Sequence, residues 1–406
     1  MPQGPDHVVI VGSGLGGVRA VEQLRACGYI GRLTLIGAED CPPYDRPPLS
    51  KQILLGAWEP ERAVFWDQPR LADLDVSLRM GVPAVALHGT AVELADGSVV
   101  AGDAVVLATG VTARRIPGQP ADVLTLRSLD DAVVLRAALL EVRSLLVVGG
   151  GFVGAEVAHA ARLRGLQVTV LEALSAPCER VLGAQVGGLA ARLFTEAGVD
   201  LRCGVSVQRF VDRHTVELSD GATRTADVVL LGIGSVPEVG WLEGLGFDIG
   251  NGLACDGEGR VLGAQSVWAL GDMAAWTDPV RGRLHRSEHW TGAVDQAAVV
   301  ARSLLGMESP TPAVPYVWSD QFGLKIQALG WPDLADSVLS LHGAGLDGGP
   351  VRGTLVGYFS GDRLVGVVGF GAARLLNRYR AMVAAGADRA TVLASADGPT
   401  AADALR

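Results

Sequence analysis

The sequence predicts an α/β protein: two parallel sheets, each entered through a strand, a glycine turn and a helix, and a smaller C-terminal α+β portion. Three observations predict it. A β-branched run breaks into glycines at Val8-Val-Ile-Val-Gly-Ser-Gly-Leu-Gly-Gly17 and again at Leu145-Leu-Val-Val-Gly-Gly-Gly-Phe-Val-Gly154, the pattern of a buried strand feeding a tight turn. Strand-like runs alternate with helical stretches along most of the 406 residues, as parallel sheets require. The 54 glycines and 5% aromatic content suit βα turns better than a sandwich.

In chain order, the first break spells Gly12-x-Gly14-x-x-Gly17. Gly12 takes the turn's positive φ, Gly14 lets backbone approach a pyrophosphate, and Gly17 lets the helix over 15–27 lie close to its strand. Free N–H groups at that helix start suit phosphate. The strand 32–36 ends near Glu39, at the spacing where a carboxylate accepts hydrogen bonds from an adenosine ribose. This reads as a Rossmann-like dinucleotide-binding domain. Four prolines in Cys41-Pro-Pro-Tyr-Asp-Arg-Pro-Pro-Leu-Ser-Lys51 forbid regular structure until a short helix opens near 49–50. Strands follow over 82–87, 90–94 and 98–101, with Asp96-Gly97 as a hairpin signal. A buried strand over 103–109 ends at Thr109-Gly110.

The pattern then repeats with Gly149-x-Gly151-x-x-Gly154, a helix to about 164 and a strand 168–171 ending at Glu172, a second dinucleotide site. A helix near 184–197, strands near 205–211 and 215–218, and a buried strand 227–231 before Gly232-Ile-Gly234 complete that domain. The strand 266–270, followed by Gly271-Asp272, returns the chain to the first domain with a ligand residue at its end. Strand patterning over 314–370 and a single helix over 372–385 form the last portion, and the tail after Ala387 reads as weakly ordered. That helix carries Arg374, Arg378 and Arg380, either a solvated face or a basic patch for an acidic partner. The domains expected are 1–113 with 241–313, then 114–240, then 314–406.

Composition excludes several classes. A net charge of −10 gives no general attraction to nucleic acid or anionic membrane. No apolar run is long enough to span a bilayer, and the first seven residues lack a signal-peptide pattern, so a soluble, cytoplasmic protein is expected. The five cysteines, Cys27, Cys41, Cys178, Cys203 and Cys255, form no metal or disulfide spacing. No metal is expected. Lys51 and Lys325 are the only lysines in an arginine-rich chain.

Taken together, Gly12–Gly17, the Pro43-Tyr-Asp-Arg-Pro-Pro-Leu-Ser-Lys51 loop, Ala108-Thr-Gly110, Leu126-Arg-Ser-Leu-Asp-Asp-Ala132, Gly149–Glu156, Leu270-Gly-Asp272, Glu288-His-Trp290 and Trp318-Ser-Asp-Gln321 resemble the NADH-dependent ferredoxin reductases that serve oxygenases. That is the family of putidaredoxin, rubredoxin and biphenyl-dioxygenase ferredoxin reductases. The likeness runs over essentially the whole chain. It implies a glutathione-reductase-like arrangement with FAD on the first domain, NADH on the second, and the C-terminal domain at the flavin and partner face.

The resemblance implies that Gly12, Gly14, Gly16, Gly17, Glu39, Arg46, Lys51, Val85, Thr109, Gly110, Arg127, Asp272, Glu288, His289, Trp290 and Trp318 serve the flavin side. It assigns Gly149, Gly151, Gly154, Glu172, Gly232 and Gly234 to the nicotinamide side and sets Glu156 with Lys51 beside the reactive edge of the flavin. Asp272 bonds the ribitol, and Arg46 and Arg127 face the pyrophosphate. Without the resemblance, Asp272 is an N-cap and Arg127 a surface arginine. Lys51 and Glu156 are the expected catalytic pair, the lysine at flavin N5 with the glutamate holding its ammonium. Read alone, they are a solvated lysine and a first-turn glutamate complementing the helix dipole. Glu172 accepts the ribose 2′-OH and repels a 2′-phosphate, favouring NADH. Ala176 stands where relatives often carry arginine, and Ala38 where they often carry aspartate. His289 reads as flavin packing rather than an acid or base, and Cys41 as unreactive. The activity implied is electron transfer from NADH through FAD to a [2Fe-2S] ferredoxin or rubredoxin-like carrier feeding an oxygenase or cytochrome P450. The rivals are an NADH oxidase or disulfide reductase acting on a small molecule, and a nicotinamide-sensing flavoprotein. A monomer or weak homodimer is expected.

Overall fold

The computed structural model describes residues 4–396. They divide into two compact units, one of residues 4–48, Trp58–Thr112 and Ser235–Ala313, the other of Leu49–Ala57, Ala113–Gly234 and residues 314–396.

The first unit is built on a five-stranded parallel sheet ordered Val267–Ala269, Ala104–Leu107, His7–Val11, Arg32–Ile36, Val76–Arg79. His7–Val11 lies at its centre, with Val9 opposite Thr34 on one side and Val105 on the other. All five of its residues are buried, which is why the strand reads as an unbroken apolar run and not an alternating one. The helix Leu15–Ala26 packs against Trp290–Leu304, a helix whose apolar signal the sequence reading passed over.

In the second unit a parallel sheet runs Asp200–Cys203, Gln167–Glu172, Ser144–Val148, Val228–Leu231, Leu124–Thr125. A second, antiparallel sheet runs Tyr316–Gln321, Leu324–Gly330, Arg363–Phe370, Leu355–Ser360, Ser337–His342. The helix Glu179–Glu196, kinked where Gly183 takes φ +72°, serves the antiparallel sheet. Its Leu182, Val186, Leu189 and Leu193 share one core with Ile326, Val356, Tyr358 and Phe370. Residues 314–396 therefore share a core with the preceding segment within this unit.

Residues 49–57, which the sequence reading keeps inside 1–113, pack in the second unit. Leu54 is buried with Leu135, Leu139 and Ala161, and its carbonyl accepts from Arg164 Nη2 at 2.6 Å. Two further expectations need correction. The single helix over 372–385 is two, Ala373–Arg378 and Arg380–Ala385, divided at Tyr379, which has φ −90° and ψ −5°, a buried ring and a hydrogen bond to His342. Arg374 and Arg378 remain exposed on the first, while Arg380 lies over the Tyr316 ring. The tail beyond Ala387 is ordered through the helix Arg389–Ala396, pinned by the buried Val392; residues 397–406 lie outside the described residues. No helix among the described residues is long and apolar enough to cross a membrane.

Tyr358 Oη donates to the Leu182 carbonyl at 2.6 Å in the core that the kinked helix shares with the antiparallel sheet. Tyr358→Phe removes that buried hydrogen bond, so the unfolding free energy falls by about 0.5–1.5 kcal/mol. Urea titration checks this, and an unchanged midpoint contradicts it.

Candidate functional site

Each glycine turn is fixed first by sterics. At Gly12, φ is +114° and a Cβ would stand 2.1 Å from the Ala108 carbonyl oxygen. At Gly149, φ is +107° and the Gly232 carbonyl oxygen is 2.3 Å away. Gly17 and Gly154 close their helices on these turns, with a Cβ landing 1.9 Å from Gly12 O and 2.0 Å from Gly149 O. Those four must be glycine for the fold alone. Gly14 and Gly151 differ. Their φ values are −74° and −72°, which any residue adopts. A Cβ would come no nearer than 3.9 Å to Arg46 at Gly14 and would meet nothing within 4 Å at Gly151. Protein packing gives no reason for glycine there, so the space is kept for something external.

The helices that follow are left open at the same points. Neither Leu15–Ala26 nor Phe152–Leu163 has a side-chain N-cap or an acid in its first turn. By contrast, Leu129–Ala138 carries a full Ser128/Asp131 capping box. Two uncapped N-termini behind two open glycines form two anion cradles, and the residues present fit a dinucleotide pyrophosphate at each.

Around the first cradle, Glu39 accepts from Tyr44 Oη at 2.7 Å and pairs with Arg46 at 2.9 Å. Arg46 also lies over the Tyr44 ring. Thr109 donates its hydroxyl to the Glu238 carbonyl at 2.7 Å and sits against Met273 Sδ, with Gly110 next to it accepting from Glu238 N. Asp272 is part of the short helix Gly271–Met273, whose first amide donates to Gln296 Oε1 at 2.7 Å. Trp290 Nε1 donates to Asp45 at 2.9 Å, and Arg19 stacks on the Trp290 ring. Glu288 pairs with Arg286 and accepts from Ser235. His289 is the N-terminal flanking residue of Trp290–Leu304. Gly16 abuts Leu270, and Val85 is an exposed position of the strand Ala84–His88. Met273, Gln296 and Arg19 were missed in the sequence because none belongs to a motif.

Around the second cradle, Glu172 is clamped by backbone: Oε2 accepts from Gly150 N and Oε1 from Leu174 N, both at 2.8 Å. The amide of Ala176 donates to Glu179 Oε2 at 3.0 Å. Gly232 holds its amide on Val148 O, and Gly234 has Arg180 near it. Arg127 lies in this unit just before the Ser128 cap, its amide bonded to Asp131 at 2.8 Å.

The second unit also holds the pair the sequence singled out. Lys51 Nζ is 2.8 Å from Glu156 Oε2, with the lysine side chain 15% exposed and the glutamate 6%. Glu156 is the fifth residue of its helix, so the first-turn reading is set aside. Ser50 Oγ donates to Oε2 at 2.5 Å, and Oε1 accepts from Ser319 Oγ at 2.5 Å and Asp320 N at 3.2 Å. Trp318, in the same strand as Ser319, stacks on Tyr316 and lies under Lys325, which pairs with Asp320. A cavity of about 160 Å³ is lined by Lys51, Gln52, Glu156, His159 and Asp320. Burial lowers the His159 pKa against the raising pull of Glu156 and Asp320, so its imidazole is neutral at pH 7.

Among the described residues there is no cluster of metal-ligating side chains, and all five cysteines are free thiols. Burial pushes the Cys178 thiol up to about 12 and that of Cys255 likewise, which removes both as nucleophiles at neutral pH.

Residues 6–297 match the model of the pyridine nucleotide-disulphide oxidoreductases, and residues 316–401 match a reductase C-terminal domain. The chain is 37% identical over 333 residues, 80% of each protein, to the ferredoxin–NAD(+) reductase subunit of the benzene 1,2-dioxygenase system of Pseudomonas putida. It is 35% identical over 397 residues to the ferredoxin–NAD(+) reductase component of the anthranilate 1,2-dioxygenase system of Burkholderia cepacia, covering 94% of this chain and 95% of that one. The crystal structure of a covalent putidaredoxin reductase–putidaredoxin complex contains a chain that superposes with a TM-score of 0.89 at 29% identity, covering 98% of this chain and all of that one.

The sterics separate two kinds of glycine. In the ligand-free protein, Gly17→Ala and Gly154→Ala cost about 3 kcal/mol or more through backbone collision. Gly14→Ala and Gly151→Ala cost about 1 kcal/mol or less, the price of alanine at an N-cap. Denaturant midpoints of the four variants check the order; equal losses at all four remove the argument for open cradles.

Proposed function

The chain belongs to the pyridine nucleotide-disulphide oxidoreductase family, and we propose that it takes a hydride from NADH and delivers single electrons through FAD to a small iron–sulfur ferredoxin supplying an oxygenase or cytochrome P450. The observation that carries the two-cofactor part is the pair of open glycine cradles in one chain. The electron acceptor is supported by relatives named as ferredoxin reductases of dioxygenase systems, matched over 80–94% of this chain. An NADH-supplied reductase of this kind works in the cytoplasm.

The residue roles follow as proposals. Residues 1–113 and 241–313 bind FAD, 114–240 bind NADH, and 314–406 form the C-terminal domain, with 49–57 lending Lys51 to the second unit. Gly14, Glu39, Arg46 and Asp272 hold the flavin nucleotide; Gly151 and Glu172 hold the nicotinamide nucleotide. FAD supplies the conversion of a two-electron hydride into single electrons. Lys51 would supply the positive charge of the pair when flavin is bound, and Glu156, an ion-paired carboxylate with four donors, holds that ammonium in place. Hydride brings one hydrogen nucleus with its two electrons, and a ferredoxin removes electrons only, so one proton leaves per NADH. With its lone pairs already answered, Glu156 is an anchor and not the acceptor of that proton.

The purified protein is expected to be yellow, and NADH-driven cytochrome c reduction is expected to rise on adding ferredoxins from a panel of oxygenase systems. A preparation that cannot be loaded with FAD overturns the assignment. Full turnover on a disulfide substrate, lost in Cys41→Ser, moves the protein to the disulfide reductases.

Glu172 is fixed by two backbone amides, so a 2′-phosphate meets negative charge that cannot swing away. NADH should exceed NADPH by at least about tenfold in kcat/KM, equivalent to about 1.4 kcal/mol. Steady-state comparison of the two coenzymes decides it; equal efficiencies remove the role given to Glu172.

A further inference from the structure

We infer that Ser319 and Gln321, on the first strand of the antiparallel sheet, are positioning residues for the Glu156–Lys51 pair; the inference rests on the catalytic reading of that pair given above. A carboxylate offers about four lone-pair sites, and four donors reach Glu156: Ser50 and Lys51 on Oε2, Ser319 and the Asp320 amide on Oε1. Two donors come from the 49–53 turn and two from the strand Tyr316–Gln321. Remove either set and the carboxylate can rotate, carrying the ammonium with it.

Proton directions follow from the distances. Ser319 Oγ lies 2.5 Å from Glu156 Oε1, and since the ion-paired carboxylate has no proton to offer, that contact consumes the hydroxyl's single proton. Ser319 then presents only lone pairs to its other neighbour. Gln321 answers with an N–H, Nε2 donating at 3.1 Å. Turned over, the amide would set its carbonyl oxygen against those lone pairs. The orientation carries a cost: Gln321 Oε1 is buried with no hydrogen-bond partner among the described residues. An orphaned buried carbonyl is the mark of an orientation dictated by a network. Cys178 completes the far end, its Sγ accepting from Gln321 at 3.6 Å while donating to the Gly150 carbonyl at 3.5 Å. Burial keeps that thiol protonated. Donation thus runs one way, from Gln321 through Ser319 to Glu156, and Ser319 and Gln321 are both fully buried.

The two lysines make the test direct, because peptide-resolved mass spectrometry of protein treated with an N-hydroxysuccinimide ester reports Lys51 against Lys325 in the same molecule. In Ser319→Ala the ratio of Lys51 to Lys325 acylation should rise about three- to tenfold, the effect of one lost hydrogen bond of ordinary net strength. Gln321→Met, which keeps the volume and removes the donor, should raise it in the same direction. In the flavin-loaded protein the limiting rate of flavin reduction by NADH should fall by a similar factor in both variants, with KM for NADH within about twofold of wild type. An unchanged labelling ratio in either folded variant overturns the inference. Lys51→Met is the separate reference: flavin reduction at the wild-type rate in that variant overturns the catalytic reading, while the labelling ratio still decides what Ser319 and Gln321 do.

Discussion

A carboxylate with 6% of its side chain exposed is tolerable only if its charge is countered and its lone pairs are met, and Glu156 imposes that condition on the unit around it. It fixes why Leu49–Ala57 leaves the first unit's run of sequence to pack in the second: Ser50 and Lys51 must arrive together on one oxygen. It fixes why the antiparallel sheet must present Ser319 and the Asp320 amide to the other oxygen. The helix Phe152–Leu163 that carries Glu156 starts at the second open cradle. The cradle at Gly151 and the ion pair at Glu156 are consequently carried by one helix, five residues apart.

The two nucleotide motifs were legible in the sequence because each demands glycine at fixed spacing for reasons of backbone geometry. Gly12 and Gly149 need positive φ, and Gly17 and Gly154 need contact with those turns. Such requirements leave no substitute, so they survive as a readable pattern. Strand existence was readable for the same kind of reason, since His7–Val11 and Ser144–Val148 are buried along nearly their whole length. The family resemblance supplied what spacing could not, the identity of Lys51 and Glu156 as partners 105 residues apart in the chain.

What escaped the sequence is equally physical. Tyr379 divides a stretch with good helical propensity, and its buried ring and its bond to His342 are tertiary contacts that the letters do not show. The helix Arg389–Ala396 looked like a polar tail, yet a single buried Val392 is enough to tie it down. Met273, Gln296 and Arg19 reach the first cradle's residues through tertiary contacts alone. Ser319 and Gln321 stood inside a recognised motif, but nothing in the letters says which way a hydroxyl proton points.

That last point bears on how the C-terminal domain is understood. A domain of this kind is naturally read as a platform for a partner protein, and the stacked Tyr316–Trp318 pair with Lys325 over it suits a surface role. Its first strand alternates, however. Trp318 and Asp320 keep partial exposure while Ser319 and Gln321 are fully buried, as successive strand residues must point to opposite faces. One face can therefore serve recognition while the other fixes the ion pair. Because both faces belong to one strand whose register is set by Leu324–Gly330, a shift of one residue would exchange them, and the strand's pairing is constrained by chemistry on both sides at once.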